Sequence, residues 1–235
     1  MPGSIRLFVS APLAAGAAVA ATPGQAHYLG TVMRRSVGDV VALFNGRDGE
    51  WAAHIAVLRR GDAAFVVEHM LRDQAAEPDL WLVFALLKRD ATDLVVQKAT
   101  ELGVAALWPV LTARTGAQRV NLDRLHAIAT EAAEQSERLN VPVIHEQRPL
   151  AALLQSWPAG RRLFVAAERQ AVPPLVATAE PTALLVGPEG GFSPVELDAL
   201  RQHPLVTMAS LGPRILRAET AAIAGLARLQ GAGCE

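Results

Sequence analysis

Two glycine-bearing segments near the C-terminus carry the residues best suited to chemistry. They read Leu185-Val-Gly-Pro-Glu-Gly-Gly-Phe-Ser193 and Ser210-Leu-Gly-Pro-Arg-Ile-Leu-Arg-Ala-Glu-Thr-Ala221. In the second segment, Arg214, Arg217 and Glu219 lie among residues apolar enough that we expect the segment to be largely buried. Buried charges need partners, and such clusters are frequent at functional sites. The second segment is therefore the first candidate for a reaction centre.

The surrounding pattern predicts how these segments are positioned. An apolar run at residues 183–186 predicts a buried parallel strand, and residues 193–196 combine an N-cap serine, a first-turn proline and a capping-box glutamate. Residues 205–210 predict a second strand, followed by an alanine-rich helix at 216–229. Open parallel sheets bind ligands beyond the carboxyl ends of their strands. We therefore expect both turns to face one cleft that holds a small molecule.

The two turns do not match the familiar nucleotide-binding loops. Neither Gly-x-x-x-x-Gly-Lys-Ser/Thr nor Gly-x-Gly-x-x-Gly is present at these turns. Glu189 would repel a pyrophosphate, so a cationic or zwitterionic ligand is favoured. A glycine-proline pair after a strand is as often a simple turn, and it is the charges of the second segment that favour a functional interpretation.

Composition limits the class of protein. With 235 residues and 51% apolar content, the chain is long enough for one large domain or two smaller ones around a substantial core. Its apolar runs are too short to cross a bilayer and its start lacks a signal-peptide pattern, so we expect a cytoplasmic protein without membrane association. The single cysteine, Cys234, excludes an intrachain disulfide, and the six histidines lack ligand spacing, so no metal site is expected.

The charge balance argues against strong nonspecific binding of nucleic acid, since 22 basic residues face 23 acidic ones. Only Lys88 and Lys98 are lysines, however, and arginine is the cation whose planar fork suits phosphate contacts. Several arginines fall in the first quarter of the chain: Arg6, Arg34, Arg35, Arg59 and Arg60.

The pattern of elements changes once along the chain. Residues 1–72 predict a small β-barrel with strands at 5–9, 40–44, 51–57 and 64–68, and residues 73–79 predict a linker. Residues 80–235 predict an α/β domain whose parallel sheet is covered on both faces. Its strands are expected at 80–87, 104–111, 141–145, 162–167, 183–186 and 205–210. Its helices are expected at 92–102, 123–139, 149–156, 194–202 and 216–229.

Four motifs, in their order along the chain, resemble those of the 16S ribosomal RNA uracil-N3 methyltransferase family of the SPOUT class. Besides the two glycine segments, they are Asp93-Leu-Val-Val-Gln-Lys-Ala-Thr-Glu-Leu-Gly-Val104 and Glu131-Ala-Ala-Glu-Gln-Ser136. His27-Tyr-Leu-Gly30, Val37-Gly-Asp39 and Phe44-Asn-Gly46 resemble the family's PUA-like barrel. The resemblance thus covers nearly the whole chain.

The resemblance implies a fold and an activity. The fold would be a SPOUT methyltransferase domain with a C-terminal deep trefoil knot, preceded by the PUA-like barrel, and the enzyme would work as a homodimer. It would bind S-adenosylmethionine between the two turns and methylate N3 of uridine 1498, in the usual bacterial numbering, of 16S rRNA in the small ribosomal subunit.

The resemblance also implies roles for particular residues. Arg217, and secondarily Arg214, would stabilise charge on the uracil, while Glu219 would take the proton or hold an arginine in place. RNA phosphates would be contacted by Arg6, Arg34, Arg35 and Arg114. The cofactor would lie on Leu185, Gly187, Glu189, Gly191, Leu211, Gly212, Ile215, Leu216 and Ala218.

Three alternatives are left open by the sequence. The chain could be a noncatalytic RNA-binding or ribosome-assembly factor with the same fold, and the arginine and glutamate set of the second segment argues against this. It could be a SPOUT methyltransferase that acts on another RNA. It could also be a different small-molecule enzyme, although such an enzyme has no need of an RNA-docking barrel.

Overall fold

The computed structural model describes residues 5–116, 119–167, 172–178 and 180–230, so Cys234 lies outside the described residues. The chain divides into two compact units. The first comprises Met1–Ala76 and Ala133–Val141, and the second comprises Glu77–Ala132 and Pro142–Glu235. The first unit therefore includes a short segment from the middle of the chain.

A five-stranded sheet forms the body of the first unit. Its elements are β1 (Arg6–Phe8), β2 (Ala18–Ala20), α1 (Pro23–His27), a π-helix (Tyr28–Val32), β3 (Val40–Phe44), β4 (Glu50–Arg59) and β5 (Asp62–Arg72). The strand order is β1-β3-β4-β5-β2, in which only the β1–β3 pair is parallel. The four strands predicted from the sequence are present, and β4 and β5 extend further than expected. Strand β2 and helix α1 were not predicted.

The core of this unit follows from alternation along the strands. In β5 every second side chain from Ala63 to Val67 is buried, as expected for a sheet with one packed face, whereas in β4 a register shift between Ala52 and Ala53 leaves both of these residues buried. The buried side chains include Leu7, Leu29, Val41, Leu43, Ile55, Phe65 and Val67. Strand β2 lies in an alanine-rich stretch, where small side chains give little alternation for a sequence pattern to detect.

An ion network centred on the buried carboxylate of Glu50 links the sheet to the Ala133–Val141 segment. The Glu50 carboxylate accepts hydrogen bonds from the Arg6 guanidinium and, at 2.7 Å, from Nε of Arg72. Arg6 also donates to the backbone oxygens of Glu134, at 2.9 Å, and Arg138, at 2.7 Å. Burial acts to raise the pKa of Glu50, but the hydrogen bonds from Arg72 and Arg6 outweigh it and hold that pKa below its usual value.

Arg6, which the sequence predicts to contact RNA, is nearly buried and paired within the first unit. Its side chain is only 9% exposed, and its guanidinium lies 4.6 Å from the centre of the Phe44 ring. The donors of a guanidinium are fixed in one plane, and here they are directed to Glu50 and to backbone carbonyl groups. Arg6 is therefore a structural residue of the first unit.

A parallel sheet flanked by helices forms the second unit. Its elements are β6 (Leu80–Ala85), α2 (Arg89–Glu101), β7 (Ala106–Leu111), α3 (Leu122–Gln135), β8 (Val143–Ile144), β9 (Arg148–Pro149), α4 (Leu150–Gln155), β10 (Arg162–Ala166), β11 (Thr182–Val186), α5 (Pro194–Gln202), β12 (Val206–Ala209) and α6 (Ala218–Gln230). The strand order is β12-β10-β11-β6-β7-β8, with β9 paired to β7, and every pair is parallel. The last residues of α3 belong to the first unit.

Both faces of this sheet are covered, as predicted. On one face, Leu185 of β11 packs in a cluster with Trp157, which follows α4, and with Leu200 of α5. On the other face α6 lies directly on β11, where a Cβ added at Gly225 would come within 2.5 Å of the Leu184 side chain. Only glycine permits this approach. Gly225, in the middle of α6, therefore allows the helix to pack directly on β11.

Predicted boundaries differ from the structure at helix ends. Helix α3 stops at Gln135 rather than at 139, because Glu137 has a φ of +60° that interrupts the helix. Helix α6 begins at Ala218, two residues later than predicted. Strand β8 covers two of the five residues predicted at 141–145.

Candidate active site

The first glycine turn follows β11 and is closed by an aromatic ring. A Cβ added at Gly187 would lie 2.9 Å from the ring of Phe192, so the ring folds back onto a position where only glycine fits. The backbone N–H of Gly191 donates to the Pro188 carbonyl at 2.8 Å, and Gly191 adopts a φ of +67°. The turn is thus compact, and Glu189 is exposed at its tip.

Hydrogen bonds from the loop after β7 brace this turn. Ser193 caps α5, and one carboxylate oxygen of Glu196 accepts from the Ser193 N–H at 2.8 Å, which completes the predicted capping box. The other oxygen accepts from the Ala113 N–H at 2.7 Å. Arg114 donates to the Gly190 carbonyl oxygen at 2.8 Å.

Sequence reasoning missed the second role of Glu196. The capping-box pattern predicts the bond to Ser193, but nothing in it indicates that the free oxygen reaches the loop after β7. Arg114, expected to contact RNA, is exposed and has its guanidinium against the first turn. The RNA contact of Arg114 stays a prediction.

The second glycine turn follows β12. The N–H of Gly212 donates to the Ser210 hydroxyl oxygen at 3.1 Å, and Gly212 has a φ of +126°, which strongly favours glycine. Arg228 of α6 donates to the Ser210 carbonyl oxygen at 3.3 Å. Helix α6 therefore supports the turn that precedes it.

The expectation that the charges of the second turn are buried is wrong. Arg214 and Arg217 are exposed and Glu219 is half-buried. Ile215 is 57% exposed, whereas Ala218 packs inward, so the apolar residues of this stretch do not enclose the charges. Among the described residues none forms an ion pair with these three side chains.

Arg217 occupies an electrostatically unusual position. Its carbonyl oxygen accepts from the Ala221 N–H at 2.8 Å, which places Arg217 just before the first turn of α6. A helix N-terminus carries positive partial charge, so a cation there is unfavourable by roughly 0.3–1 kcal/mol, whereas Glu219 in the first turn is favourable. The stability of the helix accounts for an acidic side chain at Glu219, but it does not account for a basic side chain at Arg217.

The topology brings the two turns to one edge of the sheet. Strands β11 and β12 lie on either side of β10 and run parallel to it, so their carboxyl ends point the same way. The predicted cofactor residues vary in exposure along this edge. Leu185 and Ala218 are buried, Gly187, Gly191, Leu211 and Leu216 are half-buried, and Glu189, Gly212 and Ile215 are exposed.

The other predicted RNA contacts lie in the first unit, after the π-helix. Arg34 is exposed and has a φ of +50°. Arg35 is half-buried, and its Nε is buried without a hydrogen-bond partner among the described residues.

Within the described ranges, neither a candidate membrane span nor a candidate metal cluster is present. No helix there has both the length and the apolar character needed to span a membrane. No three His, Cys, Asp or Glu side chains in those ranges are grouped so that they could hold a metal ion.

Comparison with known families defines the class of protein. Residues 75–230 match the family model described as an RNA methyltransferase domain, and residues 22–68 match the RNA methyltransferase PUA domain. The two matches correspond to the parallel sheet with its glycine turns and to the five-stranded unit. The fold and the matches together define an RNA methyltransferase with a PUA domain.

Individual relatives make the assignment more specific. A ribosomal RNA small subunit methyltransferase E from Rickettsia conorii is 33% identical over 240 residues, which cover 98% of this chain and 97% of the relative. The crystal structure of a ribosomal RNA small subunit methyltransferase E from Neisseria gonorrhoeae, bound to S-adenosyl methionine, matches with a TM-score of 0.87 and 27% identity over 98% of each chain. A putative methyltransferase from Legionella pneumophila, in complex with the bound cofactor SAM, matches with a TM-score of 0.85, also at 27% identity over 98% of each chain.

The chain therefore belongs to the ribosomal RNA small subunit methyltransferase E family. The resemblance seen in the sequence is confirmed.

Proposed function

We propose that this protein transfers a methyl group from S-adenosylmethionine to N3 of uridine 1498 of 16S rRNA in the small ribosomal subunit. Family membership supports the reaction class, and the solved relatives with bound S-adenosylmethionine support the methyl donor. The observation that carries the chemistry is Arg217, an exposed arginine without an ion pair among the described residues, at a helix N-terminus beside a glycine turn.

The two turns suit the proposed methyl donor. S-adenosylmethionine supplies an electrophilic methyl group on a positively charged sulfur, together with an adenosine and an amino-acid group. A Cβ added at Gly191 would have no atom within 4 Å, so this stretch of backbone is open to a ligand. The exposed carboxylate of Glu189 would favour a cationic ligand, and the backbone around Gly212 and Leu216 would hold its remaining groups.

The path of the chain supports the proposed knot. Residues 172–178, which follow β10, lie beside the end of β12, where Leu175 donates to the Ser210 carbonyl at 2.9 Å and Ser210 donates to the Pro173 carbonyl at 2.8 Å. The chain leaves β12 at this covered edge, yet α6 packs on β6 and β11 in the middle of the sheet. In a deep trefoil knot of the SPOUT class, the C-terminal part of the chain passes through a loop formed by earlier residues. A chain that leaves β12 at the edge and returns to the middle of the sheet is consistent with this path.

The role proposed for Arg217 follows from the electron movement. As N3 of uracil attacks the methyl carbon, the sulfur–carbon bond breaks, the N3–H proton leaves, and negative charge develops on the uracil carbonyl oxygens. Arg217, assisted by Arg214, would donate hydrogen bonds to those oxygens and stabilise the charge. S-adenosylhomocysteine, N3-methyluridine and a proton are the products.

Glu219 is proposed to accept that proton or to hold an arginine in place. It is half-buried in the first turn of α6, two residues after Arg217. Because N3 lies on the base-pairing edge of uracil, the target nucleotide must be unpaired or flipped out of its stack. A homodimer that acts in the cytoplasm on the assembled small subunit completes the proposal.

The decisive experiment is methyl transfer from labelled S-adenosylmethionine to small ribosomal subunits that lack this modification, with the product nucleoside identified by mass spectrometry. We expect label in N3-methyluridine at one position of 16S rRNA. Transfer to naked 16S rRNA serves as the comparison and should be weaker. Cofactor binding without transfer to either substrate would contradict the proposal and favour a different RNA or a noncatalytic factor.

A further inference from the structure

Two loops at the carboxyl edge of the parallel sheet are joined by side chains. One is the loop after β7, at residues 112–116, and the other is the first glycine turn, which follows β11. Strand β6 lies between β7 and β11, so these two strands are about 10 Å apart, twice the spacing of neighbouring strands. At that distance, side chains rather than a strand ladder hold one loop against the other.

Glu196 bridges the two loops with both oxygens of its carboxylate. Oε2 accepts from the Ser193 N–H at 2.8 Å, where the first glycine turn ends, and Oε1 accepts from the Ala113 N–H at 2.7 Å in the loop after β7. The side chain of Glu196 is half-buried. Each oxygen therefore serves one of the two loops, and hydrogen bonds to an ionised acceptor are stronger than those between neutral groups.

A second contact joins the same two loops in the opposite direction. Arg114, in the loop after β7, donates to the Gly190 carbonyl oxygen at 2.8 Å, and a Cβ added at Gly190 would lie 3.4 Å from the Cβ of Arg114. The loop after β7 also has bonds of its own, because the Thr112 N–H donates to the Thr115 hydroxyl oxygen at 2.9 Å. The first glycine turn is thus held against a loop that is itself closed.

The helix cap does not explain why position 196 carries a carboxylate. Glutamine serves as well as glutamate in a capping box, because one oxygen is enough to accept from the N-cap N–H. The bond to Ala113 uses the second oxygen. In glutamine that oxygen is replaced by an NH2 group, which can only donate. The bridge to the loop after β7, and not the cap, therefore requires Glu196.

We infer that Glu196 is a positioning residue for methyl transfer, whose carboxylate holds the first glycine turn in the conformation that binds S-adenosylmethionine. The inference rests on the proposed function, because it is there that the cofactor is assigned to this turn. Glu196 acts through the backbone of the turn rather than on the reacting atoms. Its loss should therefore weaken cofactor binding and leave the chemical step unchanged.

The test compares Glu196→Gln with the control Asp198→Asn. Both variants replace a carboxylate of α5 by its amide, but Asp198 is exposed and pairs with Arg201. In Glu196→Gln we expect the Kd of S-adenosylmethionine, measured by calorimetric titration, to rise about tenfold, which corresponds to about 1.4 kcal/mol. The KM for the cofactor should rise with it, while kcat at saturating cofactor and the unfolding midpoint stay close to wild type. An equal loss of affinity in Asp198→Asn would overturn the inference.

Ser193→Ala separates the bridge from the helix cap. This variant removes the hydroxyl that accepts from the Glu196 N–H at 3.3 Å, but it leaves both acceptor oxygens of the carboxylate in place. We expect a lower unfolding midpoint, because loss of an N-cap destabilises a helix, and a smaller loss of cofactor affinity than in Glu196→Gln. An equal or larger loss of affinity would contradict the inference, since the cap would then account for the effect.

Amide hydrogen exchange in the cofactor-free protein tests the bond itself. The Ala113 N–H should exchange faster in Glu196→Gln than in the wild type or in Asp198→Asn, because the glutamine oxygen stays with Ser193. Unchanged exchange at Ala113, or unchanged cofactor affinity in the folded variant, would overturn the inference. Neither measurement needs RNA, so both decide the role of Glu196 even if methyl transfer to 16S rRNA is absent and the proposed function fails.

Discussion

Two clusters in this protein have the same composition but differ in the pairing of their arginines and in the burial of their glutamate. Arg6, Arg72 and Glu50 form one in the first unit, while Arg214, Arg217 and Glu219 form the other at the second glycine turn. Glu50 is 6% exposed and accepts hydrogen bonds from both of its arginines. In the second cluster both arginines are exposed, and the described residues include no ion-pair partner for them.

The difference shows that burial and pairing, rather than residue type, decide what an arginine can do. A guanidinium whose donors are directed to a carboxylate and to carbonyl groups has little capacity left for a ligand. An exposed guanidinium without such partners can bind a substrate oxygen without first breaking a protein contact. We therefore expect substitutions in the first cluster to change stability and those in the second to change catalysis.

Substitution of Arg217 should have the largest effect. In Arg217→Ala the uracil oxygens lose a charged donor as negative charge develops, and loss of one such donor typically lowers kcat about 10²–10³-fold. S-adenosylmethionine affinity and the unfolding midpoint should stay close to wild type. Single-turnover methyl transfer, calorimetric cofactor binding and thermal unfolding measure the three quantities.

Arg214→Ala is the matched comparison and should reduce kcat by a smaller factor, since Arg214 is proposed to assist. If Arg217→Ala instead lost cofactor binding and the proposed dimer together, Arg217 would be a structural residue. The contrast between the two clusters would then fail.

Glu50→Gln should have the next largest effect, on stability. The variant keeps the size of the side chain but leaves two guanidinium groups without their carboxylate, and breaking a buried pair in this way costs about 3 kcal/mol. Chemical denaturation followed by circular dichroism measures the loss. Glu68→Gln is the control, because the His54–Glu68 pair is exposed on both sides and should contribute less than about 1 kcal/mol.

Acid should remove the same stabilisation in the wild-type protein. The pKa of folded Glu50 lies below its ordinary value of 4.5, so the folded state binds this proton more weakly than the unfolded state. Ionised Glu50 therefore stabilises the folded state in full above about pH 4.5. This stabilisation is lost as the pH falls through the pKa of folded Glu50. Unfolding free energies measured from pH 6 downward, a range of about three pH units spanning the reference value, should therefore fall more steeply in the wild type than in Glu50→Gln. Parallel curves would contradict the assignment.

The sequence predicted the framework of the site better than its charges. Continuous apolar runs and the capping box located β11, β12 and α5, because these features depend on local sequence. The exposure of side chains at the second turn depends on the direction that each one takes after β12. The spacing of apolar residues in the sequence did not reveal that Ile215 is exposed. The burial of Arg6 could not be predicted either, since its partners include residues more than a hundred positions away.

Substitution of Arg114 should give the smallest effect. Arg114 combines features of both clusters and therefore tests whether exposure or pairing decides the role of an arginine. Arg114 is exposed like Arg217 but donates to the Gly190 carbonyl, as Arg6 donates to carbonyl groups of its own unit. If this bond holds the first turn in place, Arg114→Ala should weaken S-adenosylmethionine binding roughly two- to tenfold, since one hydrogen bond contributes about 0.5–1.5 kcal/mol. Calorimetric titration with the cofactor measures the change.

Arg162→Ala is the control for Arg114, because Arg162 is also partly exposed in the second unit and pairs with Glu180 rather than with a glycine turn. Unchanged cofactor affinity in Arg114→Ala, together with weaker binding to small ribosomal subunits, would instead support the RNA contact expected from the sequence. Arg114 would then be able to bind RNA although it has one backbone partner. A single solvent-exposed hydrogen bond is weak enough for an RNA phosphate to displace.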